Sequence, residues 1–421
     1  MDKFLIRGGK RLSGSVKVSG SKNSTLALMP ASILASGKSV LKNTPELNDV
    51  YTMSKLLKHL GAEINFKDEV LEINTSEIND FTAPYEHVKK MRASIYVLGP
   101  LLAKFGKATV SLPGGCAWGP RPVNLHLEAM KKLGADIDLK DGYIIAETKK
   151  LQGAKINFDV SSVGATGNAM MAAVLAKGTT LINNAAIEPE ITQLAEFLVK
   201  MGAQINGIGT NTLEIQGVQE LHPAEITTIS DRIETGTLLI AAAITNSKIT
   251  LTECSSDYLE AVLLKLEDCG CKIVREKNQI SINATNDKLK PISVTTSIFP
   301  GFPTDMQAQW TTLMSILEGV STVTDTIYFD RFKHVPELNR LGAQIVLDQN
   351  TAVITGVKKL KGAKVMSTDL RASASLVLAG LVAEGLTEVL RVYHLDRGYQ
   401  RIEEKLKSLG ADIQRVESKE Y

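Results

Sequence analysis

The residues able to do chemistry fall into two settings. The first is the stretch from Leu112 to Leu125, LPGGCAWGPRPVNL, in which Pro113, Gly114, Gly115, Gly119, Pro120 and Pro122 exclude a regular helix or strand. Cys116 therefore stands in a loop, with Arg121 nearby in sequence. A thiol on a glycine-rich loop beside guanidinium groups is expected to ionise more readily than a free one and to react with electrophiles. The plainer reading, an inert half-buried thiol, gives no reason for a cysteine between Gly115 and Ala117. The second setting is the beginning of six apolar, helix-like runs, marked by Lys22 with Asn23, Arg92, Ser162 with Thr166, Asp231 with Arg232, Asp305, and Asp369 with Arg371. Ser162, Asp231, Asp305 and Asp369 stand where an N-cap would, and capping explains any one of them as well as chemistry does. It does not explain Lys22, Arg92, Arg232 and Arg371, because a cation at a helix N-terminus opposes the macrodipole. Together the four cations point to a shared anionic ligand, a phosphate or a carboxylate.

What must position these residues is an internal repeat. Six helix-like stretches end in an apolar residue, Gly and usually Ala: Leu60-Gly61-Ala62, Leu133-Gly134-Ala135, Met201-Gly202-Ala203, Cys269-Gly270-Cys271, Leu341-Gly342-Ala343 and Leu409-Gly410-Ala411. The glycines recur at intervals of 73, 68, 68, 72 and 68 residues, each where a left-handed residue would close a helix. Upstream of each lies a second helix, apolar nearly all round and so expected inside a domain. Amphipathic ones such as Asp257 to Asp268, with Leu259, Val262, Leu263 and Leu266 on one face, are expected outside or between layers. Strand-like runs such as Glu63 to Phe66, Val70 to Ile73, Tyr143 to Ala146 and Ala352 to Ile354 complete a βαβαββ unit. Six units of this size make two α/β domains of three units each. If each domain has pseudo-threefold symmetry, the starts of its three buried helices gather at one end, and two such ends facing each other make a cleft suited to anions.

Composition narrows the classes further. The 48 Lys and Arg against 46 Asp and Glu leave a net charge of +2 and no global field for nucleic acid or anionic membrane. No apolar run suits a signal peptide or a membrane span. Four cysteines without a disulfide framework suit a reducing compartment, the cytoplasm. Cys254, Cys269 and Cys271 read as small core fillers, and the six histidines form no ligand spacing. Neither a P-loop nor a Rossmann fingerprint is present, so no metal and no nicotinamide or flavin cofactor is expected.

The strings SGSKNSTLALMPA, MRASIYVLGPLLA, LPGGC followed by RPVNLH, SDRIETGT, FPTDMQAQ, STDLRASASLVLAG and YHLDRGYQRIEEKL resemble the UDP-N-acetylglucosamine 1-carboxyvinyltransferases, the enolpyruvyl transferases that open bacterial peptidoglycan synthesis. The resemblance runs through the whole chain. It implies two inside-out α/β barrel domains, 22–229 and 1–21 with 230–421, and an active site in the interdomain cleft. It also implies transfer of the enolpyruvyl group of phosphoenolpyruvate to the 3′-hydroxyl of UDP-N-acetylglucosamine by addition and elimination, by a cytoplasmic monomer. Carried over motif by motif, Lys22, Arg121 and Arg397 would hold phosphoenolpyruvate and the departing phosphate. Asp305 would be the base, and Cys116 either the proton donor or the thiol of a covalent adduct. Asn23 and Asp369 would contact the sugar or reacting centre, Arg92 the nucleotide or loop, and Arg371 the phosphoenolpyruvate carboxylate or the loop. Arg121, Pro122, Val123, Asn124 and Leu125, with Ser162, Val163, Gly164 and Ile327, would cradle uridine and its diphosphate. His126, Glu188, Asp231 and His394 fall in matching motifs and read equally as structural hydrogen-bond partners. The chain departs from the family's usual pattern at Asn124, where Asp is usual, and at Trp118, Pro120 and Phe329. A 3-phosphoshikimate 1-carboxyvinyltransferase would share the fold but lack the cysteine loop. A catalytically silent UDP-sugar-binding paralogue would be expected to lose Asp305, Cys116 or Arg397.

Overall fold

The computed structural model describes residues 2–89, 91–112, 123–285 and 288–417. Cys116, Trp118, Pro120, Arg121 and Pro122 lie outside the described residues. The chain forms two compact units, Gly20–Ile229 and Met1–Ser19 with Ser230–Tyr421. Gly20 and Ser21, read from sequence as part of the second domain, fall in the first unit. There the Ser21 N–H donates to the Ile229 carbonyl at 2.7 Å, and the Ser21 side chain caps the helix Lys22–Ala31.

Each unit carries three four-stranded sheets of one design. A short strand pairs in parallel with a longer one, which pairs antiparallel with the last strand of a hairpin. In Gly20–Ile229 one such sheet runs Lys155–Asn157, Thr179–Asn183, Thr212–Gln216, Gln204–Asn206. The strands alternate buried and exposed residues along their length, as in Thr212–Gln216, so one face of each sheet covers the core. The helices Lys22–Ala31, Leu98–Phe105 and Val163–Ala173 are almost wholly buried, as are Arg232–Ile244, Gln307–Met314 and Leu370–Gly380 in the other unit. Helices therefore sit inside each unit and sheets outside. The second helix of each repeat buries one face; in Glu260–Cys269 the buried residues include Val262, Leu263 and Leu266.

All six repeat glycines have left-handed backbone, with φ between 89° and 112°. At Gly61 a side chain would also meet the Glu77 carbonyl at 2.5 Å, so both conformation and space demand glycine there.

Three strands break the simple succession of repeats. Ser13–Lys17, which leads into Lys22–Ala31, pairs with Lys248–Thr252 of its own unit, Met1–Ser19 with Ser230–Tyr421, whereas the helix lies in the other. Glu225–Thr227, which leads into Arg232–Ile244, pairs with Lys38–Lys42. The chain thus exchanges a leading strand at each passage between units. The hairpin of the sixth repeat is completed by the first strand of the chain, Asp2–Arg7, which lies between Leu386–Leu390 and Asp412–Glu417.

The first exchanged strand is anchored where it ends. Lys405 Nζ is paired with the buried Glu234 carboxylate and donates to Ser19 Oγ at 2.6 Å, while the Ser19 N–H donates to Glu234 at 3.2 Å. The second is anchored by Gln193, whose amide donates to the Thr227 carbonyl at 2.9 Å and accepts from the Ile229 N–H at 3.1 Å.

Candidate functional site

The predicted site residues that are described divide between the units. In Met1–Ser19 with Ser230–Tyr421, the buried helices begin at residues whose side chains have different duties. Asp231 accepts from the N–H groups of Ile233 and Glu234, both at 2.9 Å, and Asp369 accepts from those of Arg371 and Ala372 at 2.9 and 3.1 Å. Both are caps. Asp305 is not: it lies in the single turn Thr304–Met306, before the helix Gln307–Met314. Its carboxylate instead accepts from Arg331 Nη2 at 2.6 Å and from Arg371 Nη2 at 2.8 Å. The Asp305 side chain is 26% exposed, whereas those of Arg331 and Arg371 are 8% and 5% exposed. Burial pushes the Asp305 pKa up, but Arg371 and Arg331 outweigh it and hold the group well below the ordinary carboxylate range. Asp305 is therefore an anion at neutral pH, with a side chain not fully covered by protein.

Arg331 was not singled out from sequence, since DRFKH carries no periodic or motif signal. Its place is set by Thr304 and Asp325. Arg331 Nη1 donates to Thr304 Oγ1 at 2.9 Å, and Thr304 donates to the fully buried Asp325 carboxylate at 2.6 Å. The other Asp325 oxygen accepts from the Ile327 and Tyr328 N–H groups at 2.9 Å. One buried acid thus fixes both the Asp305 clamp and the half-buried Ile327. Phe329 beyond it is exposed. Arg397 ends the turn Val392–Arg397. Asp396 beside it is held by Arg415 at 2.6 and 3.1 Å. His394 is held below its ordinary pKa by burial and then by Arg397, with Asp369 acting in the opposite sense. Arg232 lies over the Phe299 ring at 5.8 Å.

In Gly20–Ile229 the helix Lys22–Ala31 starts from Ser21, which accepts from the Ser24 N–H at 3.2 Å. Lys22 Nζ is 2.8 Å from Asp49 Oδ2, with side chains 12% and 4% exposed, and Asn23 follows it half-buried. Asp49 carries no functional signal in sequence, because an acid in the first turn of Asn48–His59 looks like ordinary dipole compensation. Lys22 and Arg371, at least, thus have protein carboxylates beside them, which qualifies the inference that a ligand anion alone calls for the start-of-helix cations.

Arg92, Asn124 and Ser162 open three separate elements: the turn Arg92–Val97, the helix Asn124–Lys132, and, through the Ser162 cap on the Ala165 N–H at 3.3 Å, the helix Val163–Ala173. Val123 and Leu125 rest partly buried against the core, and Asn124 is exposed. Sequence predicts an unbroken helix from Met91, but the structure has a tight turn before Leu98–Phe105. The reason is the buried Asn168 amide. It accepts from the Gly99 N–H and donates to the Ile95 carbonyl, both at 2.9 Å. These are the two groups that an α-helix would join to each other, so the side chain is inserted into the ladder. Tyr96 OH donates to the Val163 carbonyl at 3.3 Å, and the His126 ring lies where a Gly164 side chain would be, 3.0 Å from its Cβ position. His126 is pushed down to about 3 by burial and then by Arg92.

Among the described residues, no group of three or more His, Cys, Asp and Glu could hold a metal, and no helix is long and apolar enough to cross a membrane. Cys254, Cys269 and Cys271 are buried and not disulfide-bonded.

The sequence pattern of the family described as EPSP synthase (3-phosphoshikimate 1-carboxyvinyltransferase) matches residues 6–406. A UDP-N-acetylglucosamine 1-carboxyvinyltransferase of Chloroherpeton thalassium is 61% identical over 424 residues, covering 100% of this chain and 99% of that one. One of the same description from Chlorobium limicola is 58% identical over 424 residues, covering 100% of both. Among solved structures, the enolpyruvyl transferase NikO from Streptomyces tendae has a TM-score of 0.90 at 26% identity, over 99% of each chain. An EPSP synthase from Acinetobacter baumannii has a TM-score of 0.77 at 18% identity, over 99% of this chain and 100% of that one, a likeness of fold alone.

Proposed function

We propose a division of labour among these residues from the premise that the chain belongs to the EPSP synthase family of enolpyruvyl transferases and, within it, to the UDP-N-acetylglucosamine 1-carboxyvinyltransferases. It is a transferase of peptidoglycan precursor synthesis, moving the enolpyruvyl group of phosphoenolpyruvate to the 3′-hydroxyl of UDP-N-acetylglucosamine with release of phosphate.

In the addition step the sugar oxygen bonds to C2 of phosphoenolpyruvate, its proton passes to Asp305, and C3 gains a proton to give a tetrahedral ketal. In the elimination step C3 returns a proton and the C2–O bond to phosphate breaks. The observation that carries the role of Asp305 is its difference from Asp231 and Asp369: those cap helices, whereas Asp305 caps none and is held ionised by two guanidiniums. A carboxylate so stabilised is a weak base, which suits a proton taken as the new C–O bond draws electron density from the oxygen. Lys22, Arg121 and Arg397 meet the phosphate, Arg371 the carboxylate or the cysteine loop, and Asn23 and Asp369 the sugar or reacting centre. Arg92, Arg121 to Leu125, Ser162 to Gly164 and Ile327 hold the nucleotide. Cys116 supplies either the C3 proton or a covalent adduct. Cys116→Asp separates these roles, because activity retained with an acid in that place supports proton donation. Fixed cations supply the charge that a metal would, so the reading calls for no cofactor. Buried thiols outside any disulfide support a cytoplasmic setting, and the enzyme is read as a monomer.

Phosphate release from phosphoenolpyruvate should require UDP-N-acetylglucosamine. Release with shikimate 3-phosphate instead would overturn the substrate assignment.

A further inference from the structure

The strongest unassigned feature is a buried amide shared by three segments. Asn168, fully buried, sits one turn along the helix that begins after Ser162. Its oxygen accepts from the Gly99 N–H at 2.9 Å, and its nitrogen donates to the Ile95 carbonyl at 2.9 Å and to His126 Nδ1 at 2.9 Å. The two backbone groups fix which end of the amide is which, so His126 Nδ1 must accept and its proton resides on Nε2. Glycine at 99 and at 164 leaves room for this approach. A Cβ at Gly99 would lie 2.5 Å from the Asn168 carbonyl oxygen and 2.8 Å from its side-chain oxygen, and one at Gly164 would lie 3.0 Å from the His126 ring.

We propose that Asn168 and His126 form a positioning device for the nucleotide, in which one amide sets the mutual placement of the segments bearing Arg92, Val123 to Leu125 and Ser162 to Gly164. The inference rests on the reading of those segments as the UDP-N-acetylglucosamine contacts. No charge is needed for the device, which suits a ring buried to 2% exposure. Breaking it leaves buried polar groups unpaired and lets three binding segments drift, so it weakens nucleotide binding more than it slows chemistry.

The test uses two His126 variants of opposite character. Asn places an amide oxygen near the position of Nδ1 and can still accept from Asn168, but it fills less space. Phe keeps the ring's bulk and accepts nothing. The device predicts that His126→Phe raises KM for UDP-N-acetylglucosamine by about 10- to 100-fold, with a much smaller change in kcat and in KM for phosphoenolpyruvate, and that His126→Asn stays closer to the parent. A packing role alone gives the reverse order, and that result overturns the proposal. Asn168→Asp supplies a second measurement: a carboxylate there accepts rather than donates, so the His126 proton should move to Nδ1, read in ¹⁵N NMR of the folded protein. An unchanged tautomer also counts against the device. Arg92→Ala and Ser162→Ala serve as reference. If neither raises KM for the nucleotide sugar, the underlying reading fails; if they do and the His126 variants do not, only the device fails.

Discussion

Replacing Asp305 by Asn alters charge and one hydrogen bond while keeping shape. In the parent, one carboxylate oxygen accepts from Arg331 at 2.6 Å and the other from Arg371 at 2.8 Å. An amide can satisfy one of these and must present its NH₂ group to the other guanidinium, so one charge-assisted bond becomes a donor–donor contact in either orientation. Such a bond contributes about 1.5–3 kcal/mol when buried. The Asp305 side chain is 26% exposed, so the lower end applies, about 1.5 kcal/mol. For a unit of this size the unfolding midpoint should fall by about 3–6 °C. Loss of the base should lower kcat by about 10²- to 10⁴-fold, while Kd for UDP-N-acetylglucosamine rises by less than about tenfold. Phosphate release under saturating substrates, titration calorimetry and thermal unfolding read these three quantities on one preparation. The reasoning is refuted by a kcat within about tenfold of the parent, or by a kcat loss that only mirrors a large loss of nucleotide affinity. Asp305→Ala should likewise abolish turnover and leave UDP-sugar binding.

An epoxide phosphonate of the fosfomycin type should alkylate Cys116 and leave Cys254, Cys269 and Cys271 unmodified, since burial pushes the Cys254 and Cys269 thiols up to about 11. Peptide mass spectrometry locates the adduct, and one on any buried thiol contradicts this. Stability should fall in mild acid. His126 and His334 are both held at about 3 by burial, against an unfolded value near 6.5, so between those limits the unfolded chain binds the extra protons. Their stabilisation is complete above about pH 6.5 and declines by about 1.4 kcal/mol per pH unit for each ring on going down towards pH 3. Urea unfolding at pH 6.5 and pH 5 should differ accordingly, and His126→Phe should flatten the slope; an unchanged slope counts against a neutral buried ring.

The parts of this structure legible in sequence are those that local physics specifies. Gly61, Gly134, Gly202, Gly270, Gly342 and Gly410 close their helices because no other residue tolerates that backbone so readily, and the spacing between them exposes the repeat. The apolar helices announce their burial by lacking a polar face. What was hidden depends on distant partners. Asp305, Asp231 and Asp369 look alike as candidate caps until Arg331 and Arg371 are seen to claim one of them. Arg331, Asp325 and Asp49 act through tertiary contacts that leave no periodic trace. Asn168 reads as one more residue of an apolar helix, yet it replaces a helical hydrogen bond seventy residues away and explains why Arg92 opens a tight turn. The resemblance assigns Ser13–Lys17 and Glu225–Thr227 to the units in which they lie, but their sheet partners, Lys248–Thr252 and Lys38–Lys42, were not legible, because a strand's propensity does not say which sheet receives it.

The central proposal is that Lys22 and Asp305 serve a single chemical step. A double-mutant cycle on single-turnover rates, with Lys22→Met, Asp305→Asn and the combination, tests it most directly. Residues acting as one catalytic assembly are strongly non-additive, so the double variant should be about as slow as the slower single one. Losses that simply multiply would show two independent contributions and contradict the account.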